Sequence, residues 1–164
     1  MRSLLFWTCL CLSPLEAAAS QARNLPQGAE QRGEATFSFL GFQIYKARLF
    51  TQGGQPLDWS QDFGLELTYQ RRLSQSDLVD ATLQEMARVG NPLPIRDQLQ
   101  KCYQPVGPGD SYLAVSDGPD RLTFWRNGVA VCTLTQDEIK TRFMEIFLGE
   151  DSRSARFTRA LLGQ

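Results

Sequence analysis

The sequence predicts an α+β domain, with helices packed on one face of a mainly antiparallel sheet. Three observations carry this. The run FGLELTYQ at 63–70 alternates apolar and polar residues, the period of a half-buried strand. The stretches 73–90 and 135–149 repeat apolar residues at helical spacing instead. The segments come in blocks (strands, two helices, three strands, two helices), and segregation of this kind favours helices laid on an antiparallel sheet.

The elements follow in chain order. SQARNLPQGAEQRG (20–33) is polar, with one Pro and two Gly, and reads as a loose leader. The region of about 34–50 contains FSFLGFQIYKARLF and reads as the opening strand, with Gly41 as a bulge or bend. TQGGQPLDWSQD (51–62) is a loop. In the next strand Phe63, Leu65, Leu67 and Tyr69 share one face, and Gly64, Glu66, Thr68 and Gln70 the other. A helix spans 73–90. Ser74 or Ser76 can cap it, Asp77 suits its positive end, and Gly90 can stop it. After Pro92 and Pro94 a second helix sets Ile95, Leu99, Cys102 and Tyr103 on one face.

Three strands come next: DSYLAVS (110–116), RLTFWR (121–126) and VAVCTL (129–134). Asn127-Gly128 between the last two is a hairpin signal, because both residues tolerate the positive φ of a type I′ turn. Thr135-Gln136-Asp137-Glu138 has the form of a capping box. The helix behind it presents Ile139, Phe143, Ile146 and Phe147, and Gly149 ends it. Ser152 is the expected cap of a last helix that turns Phe157, Ala160 and Leu161 inward.

The first residues have the layout of a secretory signal peptide: Arg2, the apolar run LLFWTCLCL, then SPLEAAASQA with its small residues. The expected signal is 1–19, with cleavage possible as late as Ala22. Its apolar run is shorter than the roughly 20 residues of a membrane helix. The expected product is a domain at 34–164 behind the leader, exported to the periplasm, with no stable membrane anchor. The formal net charge of −1 leaves no footprint for nucleic acid or for an anionic membrane surface. The chain has no histidine. That removes Ser-His-Asp and Cys-His catalysis and most zinc sites, and no cofactor or metal is expected. Asp58, Asp62 and Glu66 are too sparse for a calcium loop. Of the four cysteines, Cys102 and Cys132 lie beyond the signal. Export permits a disulfide between them, and two buried thiols acting as small hydrophobes is the other reading.

The strand FLGFQIYKARLF, the helix with QEM near its centre, the hairpin LTFWRNGVAV and the helix EIKTRFMEIFLG followed by RALLG together resemble the chalcone isomerase-like family, most closely its exported bacterial branch. The likeness covers about residues 34–162. It implies an open-faced β-sandwich, a long sheet with a helical layer on one face and a cleft between them. Enzymes of the family close a flavanone ring within one molecule. Their polar positions correspond here to Leu40 (a Thr in the family), Leu78 and Glu85 (a Tyr and an Asn), and Ile146 (a Thr or Ser). An Arg ahead of the long strand, which meets substrate or a fatty-acid carboxylate, has only Arg23 or Arg32 as counterparts. Leucine and isoleucine cannot stabilise an oxyanion, so the resemblance points to a non-catalytic member that holds a small hydrophobic or fatty acid-like ligand.

The candidate ligand-binding residues are Phe39, Leu40, Phe42, Tyr45, Arg48, Leu78, Thr82, Glu85 and Ile146, with Arg48 as a possible receiver of a carboxylate. For most of them the competing reading is plain core. Tyr45 and Arg48, three apart on a strand, are expected on opposite faces. Two other classes of function stand beside ligand binding. One is an envelope protein–protein interaction module, which a plugged cleft or an exposed patch around Trp125 would favour. The other is an isomerase or lyase using Glu85 or Tyr45.

Overall fold

The computed structural model describes residues 24–164; the expected signal segment, with Cys9 and Cys11, and Arg23 lie outside the described residues. Six strands form one antiparallel sheet in meander order: β1 (Ala29–Phe39), β2 (Phe42–Gln52), β3 (Gly64–Tyr69), β4 (Ser111–Ser116), β5 (Arg121–Arg126) and β6 (Val129–Thr135). Four helices complete the described residues: α1 (Gln75–Arg88), α2 (Arg96–Cys102), α3 (Ile139–Leu148) and α4 (Ala155–Leu161).

The opening strand region is two strands. Leu40 (φ 49°) and Gly41 (φ 81°) form a two-residue turn, and Phe39 pairs with Phe42 across it. Both turn residues have positive φ, as a type I′ hairpin requires. A leucine is uncommon in that region of backbone space, and apolar residues run up to the turn on both sides, so the hairpin hides inside what reads as one continuous strand. β1 also starts at Ala29, within the stretch read as leader. The Asn127-Gly128 turn forms as its residues dictate, with φ 48° and 81°.

Ser74 caps α1 in a reciprocal box with Asp77. The box expected at 135–138 does not form. Glu138 adopts φ 58° and makes no side-chain cap; its N–H donates to Asp120 Oδ1 at 2.8 Å, so the loop before β5 holds the start of α3. Ser154, rather than Ser152, caps α4 through the Phe157 N–H. The Ser152 hydroxyl bonds that of Thr158 instead.

The helices cover one face of the sheet, on which Leu65, Tyr69, Tyr112, Ala114 and Phe124 are buried. Gly33 of β1 lets the end of α4 approach closely: a Cβ there would lie 2.4 Å from the Leu161 carbonyl oxygen. Cys102 and Cys132 form a disulfide, Cα–Cα 5.2 Å, which ties α2 to β6. The opposite face carries the pair of Arg48 with the buried Glu66, and Leu25 lies against Gly64 there. Tyr45 and Arg48 accordingly point to opposite faces. The fold is α+β: an open antiparallel sheet with one helical layer, the chalcone isomerase-like arrangement.

Candidate functional site

A cavity of about 350 Å³ lies between the sheet and the helices. Aromatic rings frame it in an unbroken circuit. Tyr45 of β2 meets Tyr69 of β3 at 6.2 Å between centroids, and Tyr69 meets Tyr112 of β4 at 6.4 Å. Tyr112 touches Tyr103, and Tyr103 touches Phe124 of β5. Phe124 meets Phe143 of α3, Phe143 meets Phe147, and Phe147 returns to Tyr45. All seven line the cavity. Most contacts are edge-to-face, the arrangement that the ring quadrupoles favour. Rings wedged in this way stand where the sheet and helices put them, so the space is built into the fold.

Burial pushes the hydroxyls of Tyr45, Tyr69 and Tyr103 far above the ordinary tyrosine value, and that of Tyr112 upward as well. They remain neutral at physiological pH and act as donors. Two are already used. The Tyr112 hydroxyl accepts the Gln104 N–H at 2.8 Å and donates to Cys102 O at 3.3 Å. Tyr103 lies 3.2 Å from Thr82 Oγ1, which itself donates to Leu78 O. The Tyr45 and Tyr69 hydroxyls have no hydrogen-bond partner among the described residues, and neither belongs to the side-chain atoms sealed away without one.

The raised tyrosine values set a pH dependence. Below pH 10, the ordinary value, folded and unfolded states are equally protonated at these groups and their contribution is fully present. Above it the unfolded chain releases protons that the folded chain retains, so stability falls as pH rises. The chain also lacks histidine, the side chain whose ordinary charge change falls between about pH 5 and 8. The melting temperature should therefore stay level through neutral pH and drop steeply above about pH 10, with tyrosinate absorbance appearing together with unfolding. Tyrosinate signal in a still-folded protein near pH 10 would show that the rings are not buried as described.

The mouth lies between the end of β1, helix α1 and the α3–α4 loop, and the exposed lining residues are Phe39, Asp77, Ala81 and Arg153. Asp77 is engaged in the α1 cap with Ser74, and the remaining charges form one cluster. Glu85 of α1 is only 8% exposed. It pairs with Arg88 at 2.8 Å and with Arg153 of the α3–α4 loop. Arg88 also donates to Asp151 O, which pins that loop to α1. The Arg153 guanidinium sits 5.8 Å from the Phe39 ring. Two cations face one carboxylate here, so the cluster carries a net positive charge at the rim of an apolar space.

Six of the nine candidate ligand-binding residues line this cavity: Phe39, Tyr45, Leu78, Thr82, Glu85 and Ile146. Three do not. Leu40 occupies the hairpin turn, 81% exposed. Phe42, across the turn from Phe39, lies under the Arg71 guanidinium at 4.4 Å. Arg48 is committed to Glu66 on the far face of the sheet. The polar group that this strand region turns into the cavity is the Tyr45 hydroxyl, not a residue at position 40. Arg32, considered as a carboxylate receiver, instead ties β1 to the chain end by donating to Leu162 O at 2.9 Å. The cation at the cavity is Arg153, which sits in a loop without periodic pattern and is brought to Glu85 by the packing of α3 against α1. The inward-facing Tyr69 and Tyr103 and the stripe residues Phe143 and Phe147 were legible as core but not as walls of a cavity.

Asp58, Asp62 and Glu66 are engaged separately, with Ser60, with Ser116 and Gly118, and with Arg48. Among the described residues no group of acidic, Cys or His side chains is placed to hold a metal ion, and no helix is long and apolar enough to cross a membrane.

No family model and no curated protein matches the chain in sequence. Among solved structures, the crystal structure of a fatty-acid binding protein from Arabidopsis thaliana matches with a TM-score of 0.63 at 10% identity, over 84% of this chain and 88% of that one. At that identity the likeness establishes a shared fold.

Proposed function

We propose that the chain is an exported, non-catalytic binder of a small amphipathic molecule. The apolar tail would occupy the cavity, and an acidic head group would meet Arg153 and the Tyr45 hydroxyl. The observation that carries this reading is the cavity itself, framed by rings and edged by a net-positive cluster. Its volume of about 350 Å³ falls within the roughly 300–1,000 Å³ of small-molecule sites, and it is not plugged by the chain's own side chains. That favours ligand binding over an interaction module without ligand. The fatty-acid binding protein that shares the fold supports the ligand class. The Cys102–Cys132 disulfide suits an oxidising compartment and supports export, with the periplasm the compartment we propose.

Thermal shift with a panel of fatty acids of graded chain length tests the reading. A ligand at 100 times its Kd should stabilise the fold by about 2.7 kcal/mol, and the absence of any shift across the panel contradicts it.

Head-group variants refine the test. A hydrogen bond to a charged group contributes about 1.5–3 kcal/mol, so Arg153→Gln should weaken a fatty acid roughly 10- to 100-fold and leave the corresponding alcohol almost unaffected. Glu85→Gln frees Arg153 from its internal counter-charge and should tighten the fatty acid. Glu85→Gln also separates this reading from an enzyme with Glu85 as base: such an enzyme loses turnover in that variant, whereas a binder gains affinity.

A further inference from the structure

Three of the four large apolar side chains exposed among the described residues belong to the β1–β2 hairpin tip: Phe39 at 50%, Leu40 at 81% and Phe42 at 55%. A tight turn of this type is usually built from Asn and Gly. Here a leucine takes the left-handed position, φ 49°, and displays its side chain to solvent. The tip is also cationic. Each half-exposed ring carries a guanidinium, Arg71 at 4.4 Å from Phe42 and Arg153 at 5.8 Å from Phe39. Arg71 and its neighbour Arg72 form no ion pair with a carboxylate among the described residues. The acids closest in sequence or contact are engaged: Asp77 in the α1 cap, and Glu85 with Arg88 and Arg153. The overall charge of −1 conceals this local excess. Phe39 is shared between the tip and the cavity wall, so the apolar projection and the cavity mouth are continuous.

We propose that the hairpin tip is a membrane-docking element. Leu40 and the Phe39 and Phe42 rings enter the interfacial region of a bilayer, Arg71, Arg72 and Arg153 meet anionic lipid phosphates, and the cavity mouth comes to lie against the lipid surface. Apolar side chains with flanking Arg are the composition of interfacial elements, whose binding adds buried apolar area to attraction for anionic lipid. This rests on the ligand-binding reading for its purpose: a hydrophobic tail could then pass between bilayer and cavity without crossing water.

The test is co-sedimentation of the full chain with phosphatidylcholine vesicles, with and without phosphatidylglycerol. Binding should require phosphatidylglycerol and weaken with salt. Leu40→Asn keeps the positive-φ turn and touches no cavity wall, and should lower vesicle partitioning roughly ten-fold or more. Arg71→Gln should lower it about five-fold. Fatty-acid binding in vesicle-free solution should be unchanged in Leu40→Asn. Equal partitioning of wild type and Leu40→Asn overturns the proposal. So does tip-dependent self-association in solution without vesicle binding. A wild type that binds fatty acid but ignores vesicles overturns the docking and spares the ligand reading; vesicle binding without fatty-acid binding supports the docking and overturns that reading.

Discussion

Ala114→Phe is expected to abolish fatty-acid binding, by roughly 100-fold or more, while leaving the fold at least as stable. Ala114 lies in the centre of the sheet on β4, is 5% exposed, and forms part of the cavity wall. A phenyl ring there takes the space of about four methylenes of a ligand tail. At about 0.8 kcal/mol per buried CH₂, the ligand forfeits about 3 kcal/mol, or more than two orders of magnitude in Kd. In a closely packed core such a substitution would cost about 1–3 kcal/mol in strain. Here the new ring enters open space and gains contacts with the surrounding aromatics. Opposite signs for binding and stability are therefore the signature of a genuine cavity. A large loss of stability in Ala114→Phe would show that the rings already fill the region.

Loss of the Cys102–Cys132 bridge should be the other large effect, and it acts on stability. The bridge closes a loop of sequence separation 30. By loop-closure entropy, removing it returns about 3–4 kcal/mol of freedom to the unfolded chain. For a domain of this size that lowers the melting temperature by roughly 10 °C, measured for the Cys102→Ala/Cys132→Ala variant against wild type under non-reducing conditions. The bridge anchors α2 beside the cavity, since Tyr103 directly follows Cys102. Ligand affinity should therefore fall along with stability, in contrast to Ala114→Phe. An unchanged melting temperature would mean that the bridge is not formed in the protein.

The parts of this molecule that were legible in the sequence are those fixed by short-range periodicity. Leu65, Leu67 and Tyr69 alternate as β3 requires, Ser74 and Asp77 mark the start of α1, and Asn127-Gly128 places the β5–β6 turn. The strand order and helical layer follow from those elements in sequence. What escaped were features decided by contacts distant in the chain or by an unusual residue in a familiar role. The β1–β2 turn was hidden because a leucine occupies a place that Asn or Asp normally holds. The capping box at 135–138 was displaced because Asp120, across a loop, offers a better acceptor to the Glu138 N–H. The choice between a disulfide and free thiols turned on whether α2 packs beside β6, which no local pattern encodes.

The candidate site divides in the same way. Tyr45, Leu78, Thr82, Glu85 and Ile146 face inward from elements whose faces are readable, and the cavity collects them. Arg48 was readable as the off-face neighbour of Tyr45, and its partner Glu66 lies opposite it across β2 and β3. Arg153 carries no local signal at all. Its position comes from the short α3–α4 connection, which folds back so that Arg88 can bond Asp151 O and Glu85 can hold the guanidinium at the mouth. The charge at a ligand site can thus come from the segment least constrained by periodicity.

The central claim is that the ring-framed cavity holds a small amphipathic ligand. Native mass spectrometry of the wild-type protein, incubated with a fatty-acid panel alongside Ala114→Phe, tests it most directly. The account predicts a wild-type complex with a single bound fatty acid, a preference for one range of chain length, and bare protein for Ala114→Phe. Bare wild-type protein across the whole panel, or equal adducts on both proteins, would contradict it.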